Sequence, residues 1–288
     1  MVIDKPIFIV GSGRSGTSVF YNLLSLHPEI CWFSNYSAKY FNIKPIPFFH
    51  RILDLPFVGT MARKGIISNN RFSIKPSEAG RIYHDYCEFK VSSKTTEDDL
   101  NLEAEKKFKD SIKRHLYLSG KKRFINKQTA NNQRIRLIDK MFSDAYYIHI
   151  IRDGRAVANS MLNVSWWDDT DIWWLDGAKA SEWEKKGKPA IELCGLHWKR
   201  DVEEILENKY LFEDRYLEIR YENFITDVRG TMEKVISFCE LGKSDLFNEF
   251  LPQTLPNMNT KWKEYLTSEQ KDILERTIGS FQNQLGYD

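Results

Sequence analysis

The feature that most constrains this chain lies at residues 7–18. Ile7-Phe-Ile-Val10 is a short apolar run of β type. From Thr17 the sequence TSVFYNLLSLHP sets Val19, Phe20, Leu23, Leu24 and Leu26 at helical spacing before Pro28 stops it. Between the two stands Gly11-Ser-Gly-Arg-Ser-Gly16. A strand without polar alternation has to be covered on both faces, as inside a parallel sheet. A helix that follows it through a glycine turn packs back onto that sheet. The N–H groups of the turn then point, with the helix N-terminus, beyond the carboxyl end of the strand, and that geometry binds anions. A glycine turn with no ligand is the competing reading. Arg14, Ser15, Thr17 and Ser18 crowd this one helix start, and phosphate-type binding accounts for them better.

The rest of the chain repeats the alternation. Strands are expected at Ile30–Phe33, Phe124–Asn126, Tyr146–Ile151 and Tyr216–Arg220. Helices are expected over 77–118, Gln133–Phe142, Ala156–Leu162, 191–208 and 228–239, with Thr96 capping the acidic start Glu97-Asp-Asp99. This predicts an α/β fold: one domain over 1–288 with a mostly parallel central sheet flanked by helices and a P-loop-like nucleotide-binding core. Residues 38–76 lack periodicity and hold seven Lys/Arg against the single acid Asp54. They read as an irregular stretch lining a site, within a substrate-side insertion over 38–123. A net charge of +2 excludes a generally basic, nucleic-acid-coating protein. No apolar run approaches the ~20 residues of a bilayer span. The start runs into a strand with no signal-peptide core, so a cytoplasmic protein is expected. Cys31, Cys87, Cys194 and Cys239 show no paired spacing and read as buried thiols.

Gly11-x4-Gly16 matches the opening of a P-loop, but Thr17 stands where a nucleotide triphosphatase has Lys, and the cation sits inside the loop as Arg14. The match of Gly11, Gly13 and Gly16 to a dinucleotide fingerprint is weak, because Arg14 would crowd a pyrophosphate. A second anion receptor follows the strand YYIHII: Arg152 leaves its carboxyl end and Ser160 lies eight residues on in the next helix. A surface pair of Arg152 with Asp153 and a helix serine bonded to its own turn are the competing readings.

Glycine loop and Arg-x7-Ser together resemble the sulfotransferases that use 3′-phosphoadenosine 5′-phosphosulfate (PAPS). The likeness to bacterial members extends through Phe124-Ile-Asn-Lys127, Arg134–Phe142, Phe142–Arg155, Ser181-Glu-Trp-Glu, Trp198, Arg220-Tyr-Glu-Asn-Phe224 and Lys261-Trp262. The resemblance implies that Arg14, Ser15, Gly16, Thr17 and Ser18 hold the 5′-phosphosulfate, with Gly13 in the same loop. It implies further that Arg152 and Ser160 hold the 3′-phosphate and Tyr221 approaches the adenine, while Lys261 and Trp262 sit on a late loop closing over the nucleotide. Two departures stand out. Many cytosolic relatives have Lys in the place of Arg14, and the histidine that serves them as base has no counterpart here.

Sulfuryl transfer is an in-line displacement governed by positioning and charge. The expected activity moves the sulfuryl group to a hydroxyl or amine acceptor. Arg14 and the loop amides would carry the charge of the leaving phosphate with no metal, PAPS being the co-substrate and 3′,5′-bisphosphoadenosine (PAP) the product. Lys127 would add charge at the transferring group, or be merely a solvated lysine. Glu78 is the candidate base, or a first-turn residue favoured by the helix dipole, with Ser77 as N-cap. Glu78, Ile82 and Asp85 would share one helix face, and His84 is the neighbouring alternative. The run Ser165–Trp174 alternates Trp with Asp and reads as packing between loops or as a pocket for a small-molecule, glycan or lipid acceptor. The rival functions are a divergent P-loop kinase, with Asp153 as its acid, and a PAP/PAPS-binding module without catalysis.

Overall fold

The chain alternates strands and helices so that strand β1 (Ile7–Val10) ends in the middle of a sheet. The computed structural model describes residues 2–87 and 92–287, without the side chains of Tyr86 and Cys87. After β1 come β2 (Ile30–Cys31), β3 (Arg123–Lys127) and β4 (Tyr146–Ile151). A small antiparallel pair follows, β5 (Asp171–Ile172) with β6 (Ala178–Lys179), and then β7 (Tyr216–Arg220). The five larger-sheet strands are all parallel in the order β2-β3-β1-β4-β7, with Ile9 opposite both Lys127 and Ile148, and Ile151 opposite Arg220. The chain moves to one side of β1 and then to the other. Ligand crevices of open α/β sheets form at such a switch, beyond the strand carboxyl ends.

Alternation within each strand builds the two core layers. Ile7 and Ile9 join Ile148, Phe20, Phe224 and Met232 on one face, whereas Phe8 and Val10 join Tyr147, Phe108, Ile138 and Phe212 on the other. A third cluster around Trp198, Ile151, Trp167 and Leu274 packs beyond the end of the sheet. Cys31, Cys194 and Cys239 are free and buried, and the side chain of Cys87 lies outside the described residues.

β1, β4 and β7 fall where the apolar runs predict them, and β3 extends one residue further at each end. Other elements differ. The expected helix 77–118 is three pieces: Gly80–Cys87, a 3₁₀ turn Glu97–Asp99, and the long helix Leu102–Ser119. Asp99 accepts the Thr96 N–H at 2.7 Å, but the long helix is capped by Asn101, whose side chain accepts from the Glu103 and Ala104 amides. Residues 38–76 are not irregular: they hold a 3₁₀ run Ile46–Asp54 and the helix Val58–Ile67. The range 38–123 also divides. Helix Leu102–Ser119 is the crossover into β3 and buries Phe108, Ile112 and Leu116 in the core. The part before residue 76 anchors to the core through Leu53, Ile66 and Ile74 and leaves Phe57, Met61 and Phe72 at the surface.

Four histidines are buried among the described residues, His27, His50, His115 and His149, and the last three are the most strongly shifted. Burial lowers the pKa of His50 and His149 to about 3 and of His115 to about 4. Each must stay neutral in the fold but protonates near 6.5 once unfolded. Between pH 6.5 and about 4 the unfolded chain therefore binds more protons, and stability falls as pH drops, by up to about 1.4 kcal/mol per pH unit for each histidine. Thermal melts should be flat above pH 7 and decline steeply below pH 6. A Tm unchanged down to pH 5 would contradict this.

Candidate active site

The glycine loop leaves β1 at the sheet's switch point, and two of its glycines are required by contact. Gly11 (φ +142°) lies against the backbone of β4, where an added Cβ would come 2.5 Å from the Ile150 carbonyl oxygen. Gly16 (φ +88°) caps helix Thr17–Leu24, and a Cβ there would overlap the ring of Tyr221. Tyr221 can therefore lie directly against the loop. On its ring sits the guanidinium of Arg152, 4.3 Å from the centroid.

Arg152 ties three segments together. It donates from Nη1 to the Arg14 carbonyl (2.8 Å), from Nε to Asn259 Oδ1 (3.0 Å) and from Nη2 to the Met258 carbonyl (2.8 Å). None of these acceptors is a carboxylate. Arg152 is only 5% exposed, and burial lowers its pKa from the ordinary guanidinium value. A buried cation held by neutral oxygens, with two of its five N–H groups unassigned, is a receptor for an anion. Arg14 reaches the same place from the loop, donating from Nε to Ser160 Oγ at 3.0 Å. The alternative partners predicted for this pair do not form. Asp153 instead caps helix Gly154–Leu162, accepting from the Arg155 amide (2.8 Å) and pairing with the Arg155 guanidinium (3.0 Å). Both its oxygens are engaged, which removes it as the acid of a kinase.

Arg14, Gly16, Thr17, Ser18, Arg152, Ser160, Tyr221 and Lys261 all line one cavity of about 700 Å³. This is within the ~300–1,000 Å³ of small-molecule sites. Three sequence candidates do not line it. Ser15 is buried with its hydroxyl unpartnered, Gly13 borders a neighbouring cavity, and Trp262 stacks under the Arg155 guanidinium at 4.5 Å. Asn159, Asn163 and Tyr265 also line the cavity. The Asn159 Oδ1 is buried without a partner, an acceptor suited to a ligand N–H.

The second cavity, about 370 Å³, lies on the other side of the same loop. Gly13, Glu78, Met161, Trp167, Trp173 and His197 contribute to its wall. Lys127, 2% exposed at the end of β3, joins the two sides: its Nζ donates to Ser18 Oγ at 3.1 Å and pairs with Glu78. Lys127 is thus no solvated lysine. Glu78 precedes the helix that begins at Gly80, because Ala79 takes a positive φ (55°), and the Ser77 hydroxyl accepts only from the Ala79 amide. The expected shared face dissolves: Ile82 is buried in the core, and Asp85 pairs with the exposed His84 away from the cavity. Sequence reasoning missed His197 and Asp201. They sit four apart on helix Ala190–Asn208, with His197 Nε2 3.7 Å from Asp201 Oδ2 and Trp174 Nε1 donating to its Nδ1. That i, i+4 pair was the available signal.

The sequence profile of the Sulfotransferase family matches residues 6–245. The chain belongs to the sulfotransferase family. The fold agrees. Sulfotransferase STF9 from Mycobacterium avium superposes with a TM-score of 0.59 at 14% identity, covering 100% of this chain and 78% of that one. The sulfotransferase domain of the curacin biosynthetic pathway gives 0.57 at 13% identity, covering 100% and 99%. Among characterised sequences the chain is 24% identical, over 316 aligned residues, to the omega-hydroxy-beta-dihydromenaquinone-9 sulfotransferase Stf3 of Mycobacterium bovis and Mycobacterium tuberculosis, covering 100% of this chain and 76% of the relative. The protein is therefore an enzyme of sulfuryl transfer, and the kinase and non-catalytic readings fall away. Among the described residues no helix is long and apolar enough to cross a membrane.

Proposed function

We propose that this sulfotransferase takes PAPS in the larger cavity and passes its sulfuryl group to a hydroxyl of an apolar, lipid-type acceptor in the smaller one. One observation carries the reading: the glycine loop is a wall common to both cavities, with Arg14 and Gly16–Ser18 on one side and Gly13 on the other, and with Lys127–Glu78 spanning it. An in-line transfer needs donor and acceptor to meet across one such point. The larger cavity fits the donor's chemistry, with three cations (Arg14, Arg152, Lys261), an aromatic ring and an unpartnered amide oxygen. In this assignment the loop amides, Arg14, Thr17 and Ser18 receive the 5′-phosphosulfate. Arg152 and Ser160 receive the 3′-phosphate, and Tyr221 lies beside the adenine. Tryptophans in the smaller cavity suit an apolar alcohol, and the Stf3 relative is named for an omega-hydroxylated menaquinone.

PAPS supplies a sulfuryl group whose bond to the 5′-phosphate oxygen breaks as the acceptor oxygen bonds to sulfur. Glu78 removes the acceptor's proton, Lys127 holds charge at the sulfuryl oxygens, and Arg14 stabilises the charge left on the phosphate. In this reading Arg14 and Lys127 carry the developing charge themselves, and the reaction is expected to proceed without a metal. The buried thiols Cys31, Cys194 and Cys239 suit a reducing, cytoplasmic setting.

A ligand-induced shift in melting temperature tests the donor site. PAP should stabilise the fold by about 2.7 kcal/mol at about 100 times its Kd. Adenosine 5′-monophosphate should do much less, and EDTA should change neither shift nor activity. Equal shifts from the two nucleotides would remove the 3′-phosphate assignment, and loss of activity in EDTA restored by Mg²⁺ would overturn the metal-free chemistry.

A further inference from the structure

The surface formed by residues 38–76 is apolar where a soluble surface is ordinarily polar. Phe57 is 88% exposed, Met61 73% and Phe72 72%, with Phe48, Phe49 and Leu55 each more than half exposed. Phe57 stands at the N-terminus of helix Val58–Ile67 with a positive φ (58°), a strained backbone that turns a large ring outward. These side chains are not scattered. Phe49, Val58, Met61, Lys64 and Phe72 surround one basin of about 750 Å³, and Tyr36 closes it by donating to the Phe72 carbonyl at 2.8 Å. Contiguous exposed apolar surface of this kind marks an interaction site.

The charge around it selects the partner. Lys39, Lys44, Arg51, Lys64 and Arg71 are exposed, and among the described residues none of them pairs with a carboxylate. The single acid, Asp54, is neutralised by Lys121 at 2.5 Å. Cations also lie over the exposed rings, Arg71 on Phe72 at 4.6 Å and Arg51 on Phe48 at 5.4 Å. Rings and aliphatic side chains flanked by Lys and Arg, with no compensating acid, are complementary to an anionic bilayer: the apolar groups enter the acyl boundary and the cations remain at the headgroups.

We propose that this face docks the enzyme on an anionic lipid membrane. The segment that follows it gives the docking a use. Ile74 lines the apolar basin and Glu78 lines the smaller cavity, and the stretch between them runs beside the core, with Pro76 bridging Ser34. Four extended residues span roughly 13 Å, so an acceptor drawn from the membrane has a short way to go. The docking itself rests on surface chemistry alone and does not depend on the identity of donor or acceptor.

Co-sedimentation of the full chain with vesicles tests it, with no turnover involved. Vesicles of phosphatidylcholine with about 30% phosphatidylglycerol should bind the protein at least about tenfold more tightly than phosphatidylcholine alone, and 0.5 M NaCl should weaken the binding. Phe57→Ser with Met61→Ser, and separately Lys64→Glu with Arg71→Glu, should each reduce it by about tenfold or more. All four positions are exposed, so melting temperatures should hold and loss of binding cannot be assigned to unfolding. No binding to the anionic vesicles, or equal binding to neutral ones, would overturn the proposal. So would a dimer in light scattering that the same substitutions dissolve without any vesicle binding, because the patch would then be an interface between copies.

Discussion

Glu78→Gln should bind PAP as the native chain does and lose about 10²–10⁴-fold in kcat, the usual contribution of a positioned general base. The amide keeps the shape of the carboxylate and still offers Lys127 an acceptor, so the contact from Lys127 to Ser18 survives. What it cannot do is take a proton. The competing role for Glu78 is that of counter-ion alone. Lys127 is nearly inaccessible, and removing the charge of its partner would then lower the melting temperature and leave turnover intact. The two outcomes separate in one pair of measurements. If the variant turns over at the native rate, the candidacy passes to His197, which faces the same cavity with Asp201 behind it. His84 and Asp85 do not inherit it, because they pair with each other at the surface.

Most of the main sheet was legible from its apolar runs, although β2 covers only Ile30–Cys31 of the expected Ile30–Phe33 and the small β5–β6 pair was not foreseen. Tyr146–Ile151 is apolar apart from His149, is buried on both faces and lies between two other strands, so burial fixes it. The loop residues around Arg14, and Arg152 with Ser160, were legible because a glycine turn and a strand end are local features that point to one side of the sheet. Residues 38–76 were not. Many of their apolar side chains face outward beside a few that are buried, such as Leu53 and Ile66, and a 3₁₀ run such as Ile46–Asp54 has no 3.6-residue period to detect. Glu78 was found by residue type and placed wrongly on a helix, since nothing in the sequence announces a positive φ at Ala79. Asn159, His197 and Asn259 were missed for a different reason. No local motif marks Asn159 or Asn259, and the spacing of His197 to Asp201 shows that they share a helix face without showing what that face meets. Only the tertiary fold brings these residues to the loop.

Arg14 and Arg152 touch one another's segments yet should fail in different ways when truncated. Charge on the 5′-phosphate grows as the sulfuryl group leaves, so an interaction from Arg14 strengthens in the transition state. Arg14→Ala should lower kcat by about 10²–10³, as loss of a preorganised donor to developing charge does. Its carbonyl, which Arg152 holds, is unchanged by that truncation. The charge of a 3′-phosphate is the same before and during transfer. Arg152→Ala should therefore weaken PAP by about 1.5–3 kcal/mol, roughly 10–100-fold in Kd, with a smaller effect on kcat at saturation. It should also reduce thermal stability without ligand, because Asn259, Met258 and the glycine loop lose their common tie. Arg152→Lys restores the charge but not the fork, and a single ammonium cannot replace three divergent N–H bonds, so little of the affinity should return. Isothermal titration of PAP with single-turnover rates on the same variants decides the matter. A binding defect in Arg14→Ala and a purely catalytic one in Arg152→Ala would exchange the two phosphate sites, and with them the direction in which the nucleotide lies across Tyr221.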